Sequence, residues 1–361
     1  MSVRRKQEHL DVSLNCDVAA RREEGWRDIQ LLHECLPEID RADIDHSVEF
    51  LGRRFDHPLV ISALTGGCPE AAGINEALAR AAARFNVGME LGSQSVLLRS
   101  AAMEYTYSIA REVAPTAFLV ANIGASSLIA QPGRARCTLD QVMRLLDTIR
   151  ADALAVHLNF LQESVMPEGD SRARGCLSAI EEVVRGLDVP VVVKETGAGI
   201  SRAQAERLRD IGVAALEVGG AGGTSMALVE SQRARRNNDP AHEALGSTFA
   251  HWGIPTAVSL VEARGSGLPL VASGGITDGL EAAKALALGA TLVGVARPLH
   301  IAAARGPEAV VEWLELFFEE LSVAMFLSAA ATVPALRQRK TLVLGRTREW
   351  LEQLGHDVVN V

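Results

Sequence analysis

Eight short apolar runs, most of them separated by a stretch with helical spacing, constrain this chain more than any other feature. They read "HPLVISAL" (57–64), "NVGMELG" (86–92), "AFLVANIG" (117–124), "DALAVHLN" (152–159), "VPVVVKET" (189–196), "VAALEVGG" (213–220), "LPLVASGG" (268–275) and "ATLVGVA" (290–296). The runs are apolar almost throughout rather than alternating, as expected of strands covered on both faces. The segments between them, such as "AAGINEALARAAARF" and "SRAQAERLRDIG", carry one apolar face and read as helices. Eight β-α steps in succession predict an α/β chain folded as a (β/α)8 TIM barrel. No GxGxxG follows the first strand, which argues against a dinucleotide-binding open sheet.

The 361 residues fit one domain: an extension over 1–56, a barrel over 57–305 and closing helices over 306–361. The segment 226–251, "MALVESQRARRNNDPAHEALGSTFAH", interrupts the sixth step and reads either as a solvated loop or as a lid. A formal net charge of −9 disfavours general nucleic-acid binding. Five scattered cysteines without a C-x-x-C pair, no signal peptide and no long apolar span predict a soluble cytoplasmic protein with reduced thiols.

Barrel enzymes assemble their sites at the C-terminal ends of the strands. Those ends carry Thr65, Gly66 and Gly67 on strand one, Ser93 on strand two and Asn122 on strand three. Strand four ends in His157, Asn159, Gln162 and Glu163, and strand five in Lys194. Strands six to eight end in glycine-rich turns with Thr224, with Gly274 and Gly275, and with Gly294 and Ala296. Glycines let backbone amides approach an anion, and the ends of the last two strands are the usual phosphate site of such barrels. An FMN would suit this rim, with its phosphate at strands seven and eight and Lys194 at the N1–O2 edge of the ring.

Taken together, "RKQEH" (5–9), "LTGG" (64–67), "GSQ" (92–94), "ANIGA" (121–125), "HLNFLQE" (157–163), "PEGD" (167–170), "VKETGAGIS" (193–201), "GGTS" (222–225), "WGIPTA" (252–257) and "SGGI" (273–276) resemble the type 2, FMN-dependent isopentenyl diphosphate isomerases. The resemblance implies interconversion of isopentenyl and dimethylallyl diphosphates by an allylic proton shift with reduced FMN. It also implies Mg²⁺, NADPH or another reductant to prime the flavin, and a tetrameric or octameric homo-oligomer. It assigns Arg5, Lys6 and His9 to the diphosphate, and His157, Asn159 and Gln162 to the substrate pocket. Glu163 becomes the Mg²⁺ ligand, and Gln162, Glu230 and Lys194 the catalytic set. From composition alone, residues 5–9 read as a basic tail.

The chain departs from the family at Ser95 and Thr277, where arginine is common, and at Met166, where glutamine is common. Fewer cations near a diphosphate leave room for a paralogue that isomerises or cyclises another prenyl diphosphate. An oxidoreductase of the hydroxy-acid type would need a histidine base after strand six, and "EVGGAGGTSMALVE" has none. A nucleotide dehydrogenase of the inosinate type would need a cysteine there, and none follows Cys176. A non-catalytic flavin-binding protein would have no use for Gln162, Glu163 and Glu230.

Overall fold

A computed structural model describes residues 3–20, 25–64 and 66–358. Eight parallel strands close into a barrel in sequence order: β1 Leu59–Ile61, β2 Gly88–Glu90, β3 Phe118–Gly124, β4 Ala153–Leu158, β5 Val191–Glu195, β6 Ala215–Glu217, β7 Leu270–Ser273 and β8 Leu292–Val295. The last strand pairs back onto the first, with Gly294 opposite Val60. Each strand lies inside one of the eight apolar runs. Their outward side chains merge with the surrounding helices into one large core.

The inward side chains form a second, separate cluster: Val60, Phe118, Val120, Ala153, Ala155, Val192, Ala215, Val271 and Leu292. Residues Val48–Phe50 and Arg53–Phe55 form a hairpin whose Phe50 and Phe55 join this cluster from below. Phe55 meets Phe118 edge to face, with ring centroids 5.4 Å apart. The hairpin therefore plugs the N-terminal end of the lumen.

The N-terminal residues 3–15 are not a loose tail. They form helix α1 (Val3–Asn15), whose C-terminal carbonyls Ser13 and Cys16 accept hydrogen bonds of 2.7 and 3.0 Å from Arg297. A cation at that end satisfies orphan carbonyls and opposes the helix dipole. Beyond α1 the chain lies along the turn after β6: Ala20 N donates to Gly223 O at 2.7 Å, and Ser225 N to Val18 O at 2.8 Å. Ile29–Leu31 pairs with Thr341–Val343, tying the two ends of the chain together.

The segment after β6 is a second correction. The solvated-loop reading fails, because residues 226–248 fold as two helices, α2 (Met226–Arg236) and α3 (Pro240–Thr248). Ser225 Oγ caps the first by accepting from Leu228 N, and Asp239 caps the second, with Pro240 at its first position. Of the charges that suggested solvent, Arg233 is buried in ion pairs, whereas Arg235 and Arg236 pair with Glu243 and Asp11 at the surface.

Candidate active site

Moving two residues up each strand from the apolar lumen keeps the side chain pointing inward. It also changes the chemistry completely. The next inward positions are Ser62, Glu90, Asn122, His157, Lys194, Glu217, Ser273 and Gly294, one per strand. All seven side chains in this layer are buried. The C-terminal end of the lumen is thus closed by a polar plate on top of an apolar plug.

Half of the plate is an ion cluster. Lys194 Nζ bonds Glu90 Oε2 and lies 2.8 Å from Glu217 Oε2. Ser62 Oγ donates to Glu217 Oε1 at 2.9 Å, and Ala63 N to Glu90 Oε2 at 3.1 Å. Gly294 is forced by this crowding: a Cβ there would sit 2.4 Å from Ser62 Oγ and 3.3 Å from Glu217 Oε1. The other half is neutral. His157 Nδ1 and Asn122 Oδ1 are 2.7 Å apart, and Gln94 Oε1 accepts from Asn122 N at 3.0 Å. Burial, then the charges of Lys6 and Lys194, push the His157 imidazole down to about 3. His157 is therefore neutral, with Nδ1–H given to Asn122 and Nε2 left as an acceptor.

Above the plate stands a second network, between α1 and α2. Glu230 is 2% exposed, yet three side chains meet its carboxylate. Gln162 Nε2 donates to Oε1 at 2.6 Å, His9 Nε2 lies 2.8 Å from Oε1, and Arg233 bonds Oε2. Burial pushes this carboxyl up, but His9 and Arg233 overcome it and hold Glu230 below the usual range. The same Arg233 reaches Glu8 at 3.1 Å and Glu168 at 2.8 Å, so it ties α1, α2 and the loop after β4 to one point.

A cavity of about 230 Å³ opens between the ends of β2, β3 and β4. Arg5, Ser93, Ser95, His157, Glu163 and Asp170 are among the side chains that line it. Glu163 accepts from Asn159 Nδ2 at 2.9 Å and from Asp170 N at 2.8 Å, and burial still pushes its carboxyl up. The loop folds back so tightly that a Cβ at Gly169 would lie 1.7 Å from the Glu163 carbonyl oxygen. Arg99, Arg134 and Arg136 also line the cavity, with Arg134 2.5 Å from Asp170. The cations that the departure at Ser95 removes are thus present on neighbouring segments. Ser95 itself faces Ser93, with Oγ atoms 3.2 Å apart. Met166 receives Arg5, and Thr277, next to the Gly275–Ile276 turn, bonds Glu281.

The glycine turns at the ends of β6 and β7 pack backbone against backbone. A Cβ at Gly223 would lie 2.7 Å from Gly275 N, and one at Gly274 would lie 2.3 Å from Gly220 O. The amides of Gly275 and Ile276 lie outside the strand ladder and donate to nothing among the described residues. Paired free amides beside glycines suit an anion. Thr224 bridges to Ala19 at this turn, and Ala296 begins the helix that carries Arg297. Gly66 and Gly67 pack on Tyr107, where a Cβ would approach to 2.4 and 2.8 Å. Thr65 lies outside the described residues.

The structure thus brings Arg5, Lys6, His9, His157, Asn159, Gln162, Glu163 and Glu230 to one mouth. Lys194 sits one layer deeper, already paired. Sequence reading missed Glu90, Glu217, Arg233 and the cavity arginines. The signal for the first two was parity: Glu90 and Glu217 occupy the same inward phase as Lys194 on their own strands.

Comparison with known proteins adds what geometry alone lacks. The sequence pattern of the FMN-dependent dehydrogenase family matches residues 9–118 and 129–343. The chain is 46% identical to the isopentenyl-diphosphate delta-isomerase of Methanothermobacter thermautotrophicus, over 98% of this chain and 97% of that one. It is 44% identical to the enzyme of that name from Methanosarcina barkeri, covering 98% and 96%. For the one from Thermococcus kodakarensis the figures are 45%, 98% and 94%. Among solved structures, a mandelate oxidase mutant with the monooxide FMN adduct has a TM-score of 0.61 at 23% identity, over 94% and 92% of the two chains. A putative lactate oxidase of Pediococcus acidilactici has a TM-score of 0.64 at 15% identity, over 95% and 93%. These two likenesses concern the fold alone.

Proposed function

This chain belongs to the FMN-dependent dehydrogenase family, among its isopentenyl-diphosphate delta-isomerases, and on that premise we propose how its own residues perform an FMN- and Mg²⁺-dependent allylic proton shift. The residues fit the flavin. The amides of Gly275 and Ile276, which donate to nothing among the described residues, and the glycine cradle with Thr224 suit its phosphate; Gly66, Gly67, Ser93, Asn122 and Lys194 offer a polar seat for its ring. When bound and reduced by NADPH or another donor, the flavin supplies an electron-rich face and acid–base chemistry next to the alkene.

The chain's contribution starts with charge. Arg5, Lys6 and His9 on α1 and the arginines of the cavity hold the diphosphate. Lys6 is buried, and its ammonium is pushed down to about 7 by that burial and by Arg5, so an arriving diphosphate would favour its charged form. Glu163, whose carboxyl is pushed up, would offer a single oxygen ligand to a Mg²⁺ carried in with the diphosphate, and the metal would supply charge neutralisation there. His157 and Asn159 shape the pocket floor.

Isomerisation adds a proton to the terminal methylene carbon and removes one from C2 next to the diphosphate-bearing carbon, so charge and atoms balance without net redox. The observation that carries this reading is the buried Glu230 carboxylate. It is kept ionised by Arg233 and His9, aimed by Gln162, and shielded from water by α1. An ionised carboxylate is the state needed to accept the C2 proton.

No helix among the described residues is long and apolar enough to cross a membrane, and the proposal places the enzyme in the cytoplasm. Leu316, Val323 and Leu327 are exposed along one face of the Pro307–Leu327 helix, which supports a homo-oligomer, tetramer or octamer. The test is anaerobic incubation of the FMN-loaded protein with Mg²⁺, a reductant and isopentenyl diphosphate. Dimethylallyl diphosphate is expected. Bound flavin with unchanged isopentenyl diphosphate overturns the substrate assignment and turns attention to longer prenyl diphosphates.

A further inference from the structure

The ion cluster in the polar plate has no role in the proton shift just described. Glu90, Lys194 and Glu217 are 5%, 4% and 1% exposed, so water screens none of them. A structural ion pair needs one carboxylate per ammonium; here two carboxylates share one. Fully ionised, the cluster would carry an excess negative charge in a desolvated layer, which is costly. The groups around it do not neutralise that charge. From β1 come Ser62 Oγ and the Ala63 amide, from β3 Asn122, from β4 the neutral His157, from β7 Ser273, and from β8 only Gly294. Lys6 on α1 reaches His157 rather than the carboxylates.

We propose that Glu90, Lys194 and Glu217 form a proton-holding triad, with the proton on Glu90, that couples two-electron reduction of the bound flavin to proton uptake by the protein. Geometry selects Glu90. Glu217 takes the ammonium and the hydroxyls of Ser62 and Ser273 and stays ionised, whereas Glu90 has the ammonium and one amide and leans on the Glu217 carboxylate itself. Burial, reinforced by Glu217 and opposed by Lys194, pushes the Glu90 carboxyl up to about 8. The flavin coupling rests on the reading above, that FMN sits at this end of the barrel.

The balance is as follows. With Glu90 protonated the triad is neutral, and reduction adds two electrons to the flavin together with whatever protons the ring itself binds. Above the Glu90 titration the oxidised enzyme carries an ionised Glu90. Added negative charge on the ring then raises its proton affinity, and Glu90 takes one proton from solvent. The wild type therefore binds more protons per flavin reduced than Glu90→Gln, in alkaline solution only.

Two measurements test this. In weakly buffered solution with an indicator dye, FMN-loaded wild type and Glu90→Gln are photoreduced at a series of pH values. The difference in protons bound per flavin should be near zero below neutrality and approach about one above pH 8. Equal counts at every pH overturn the coupling. The second uses protein without flavin, so it does not depend on the functional reading. The folded chain keeps a proton on Glu90 that the unfolded chain releases above about 4.5, so the stability of wild type relative to Glu90→Gln should fall as pH rises from about 4.5 to about 8 and then level off. Glu90→Asp should restore part of this dependence. Parallel curves for wild type and Glu90→Gln overturn the triad itself. A normal slope in a protein that takes up no flavin overturns the flavin seat and the coupling, and leaves the triad standing.

Discussion

The two ends of the barrel lumen are built from the same strands and differ in almost everything else. At the N-terminal end, Val60, Val120, Val192, Val271 and Leu292 interlock and are sealed by Phe50 and Phe55. Two residues further along each strand, the side chains become Ser62, Asn122, Lys194, Ser273 and Gly294. The apolar end gains from burial at roughly 25 cal/mol per Å². The polar end pays desolvation of the Lys194–Glu217 ion pair and of the Glu90 carboxyl, and recovers it through their mutual contacts. A polar layer of this kind is poor economy for stability alone, and its value lies in what it presents to a ligand at the mouth.

Four substitutions break or sharpen the contrast. The largest effect belongs to Glu230→Gln, above the polar plate: turnover should fall by about 10²–10⁴, with FMN affinity retained, as measured by anaerobic product assays and flavin titration. Retained turnover would remove Glu230 from the chemistry. Next is Lys194→Met. It leaves the ionised Glu217 buried without a counter-charge and should cost about 3–5 kcal/mol in urea unfolding of the flavin-free protein. At the opposite end, Phe55→Ala should cost a similar amount, about 3–5 kcal/mol, but leave FMN affinity unchanged. Coupled loss of flavin there would show that the two ends do not act separately. The smallest effect is expected for Ser225→Ala, which removes the cap of α2 beside the glycine turn: about 1 kcal/mol, visible as a small drop in Tm.

The same contrast explains what the sequence revealed. The apolar end was legible because continuous Val, Leu and Ala runs have one physical reading in a parallel barrel. Half of the polar end was legible too, because His157, Asn159, Gln162 and Glu163 crowd past a strand end where no packing need explains them. Glu90 and Glu217 were hidden because each stands alone in a strand, and only pairing across the closed barrel brings them onto Lys194. The α2 and α3 helices were hidden for another reason. Arg233, Arg235 and Arg236 look solvated in sequence, but they pair with Glu230, Glu243 and Asp11 once α1 is in place. The contacts of Arg233 to Glu8 and of Arg236 to Asp11, more than two hundred residues away, leave no local periodicity to read.

The central claim is that the polar end of the lumen is the flavin platform and the apolar end is not. The most direct measurement is the FMN dissociation constant of two variants on the same strand, Asn122→Leu in the polar layer and Val120→Ala one layer below. Asn122→Leu should weaken FMN binding by about tenfold, since it strips His157 of its partner, while Val120→Ala should leave it within about twofold of wild type. Equal losses in the two variants, or a loss confined to Val120→Ala, would contradict the account.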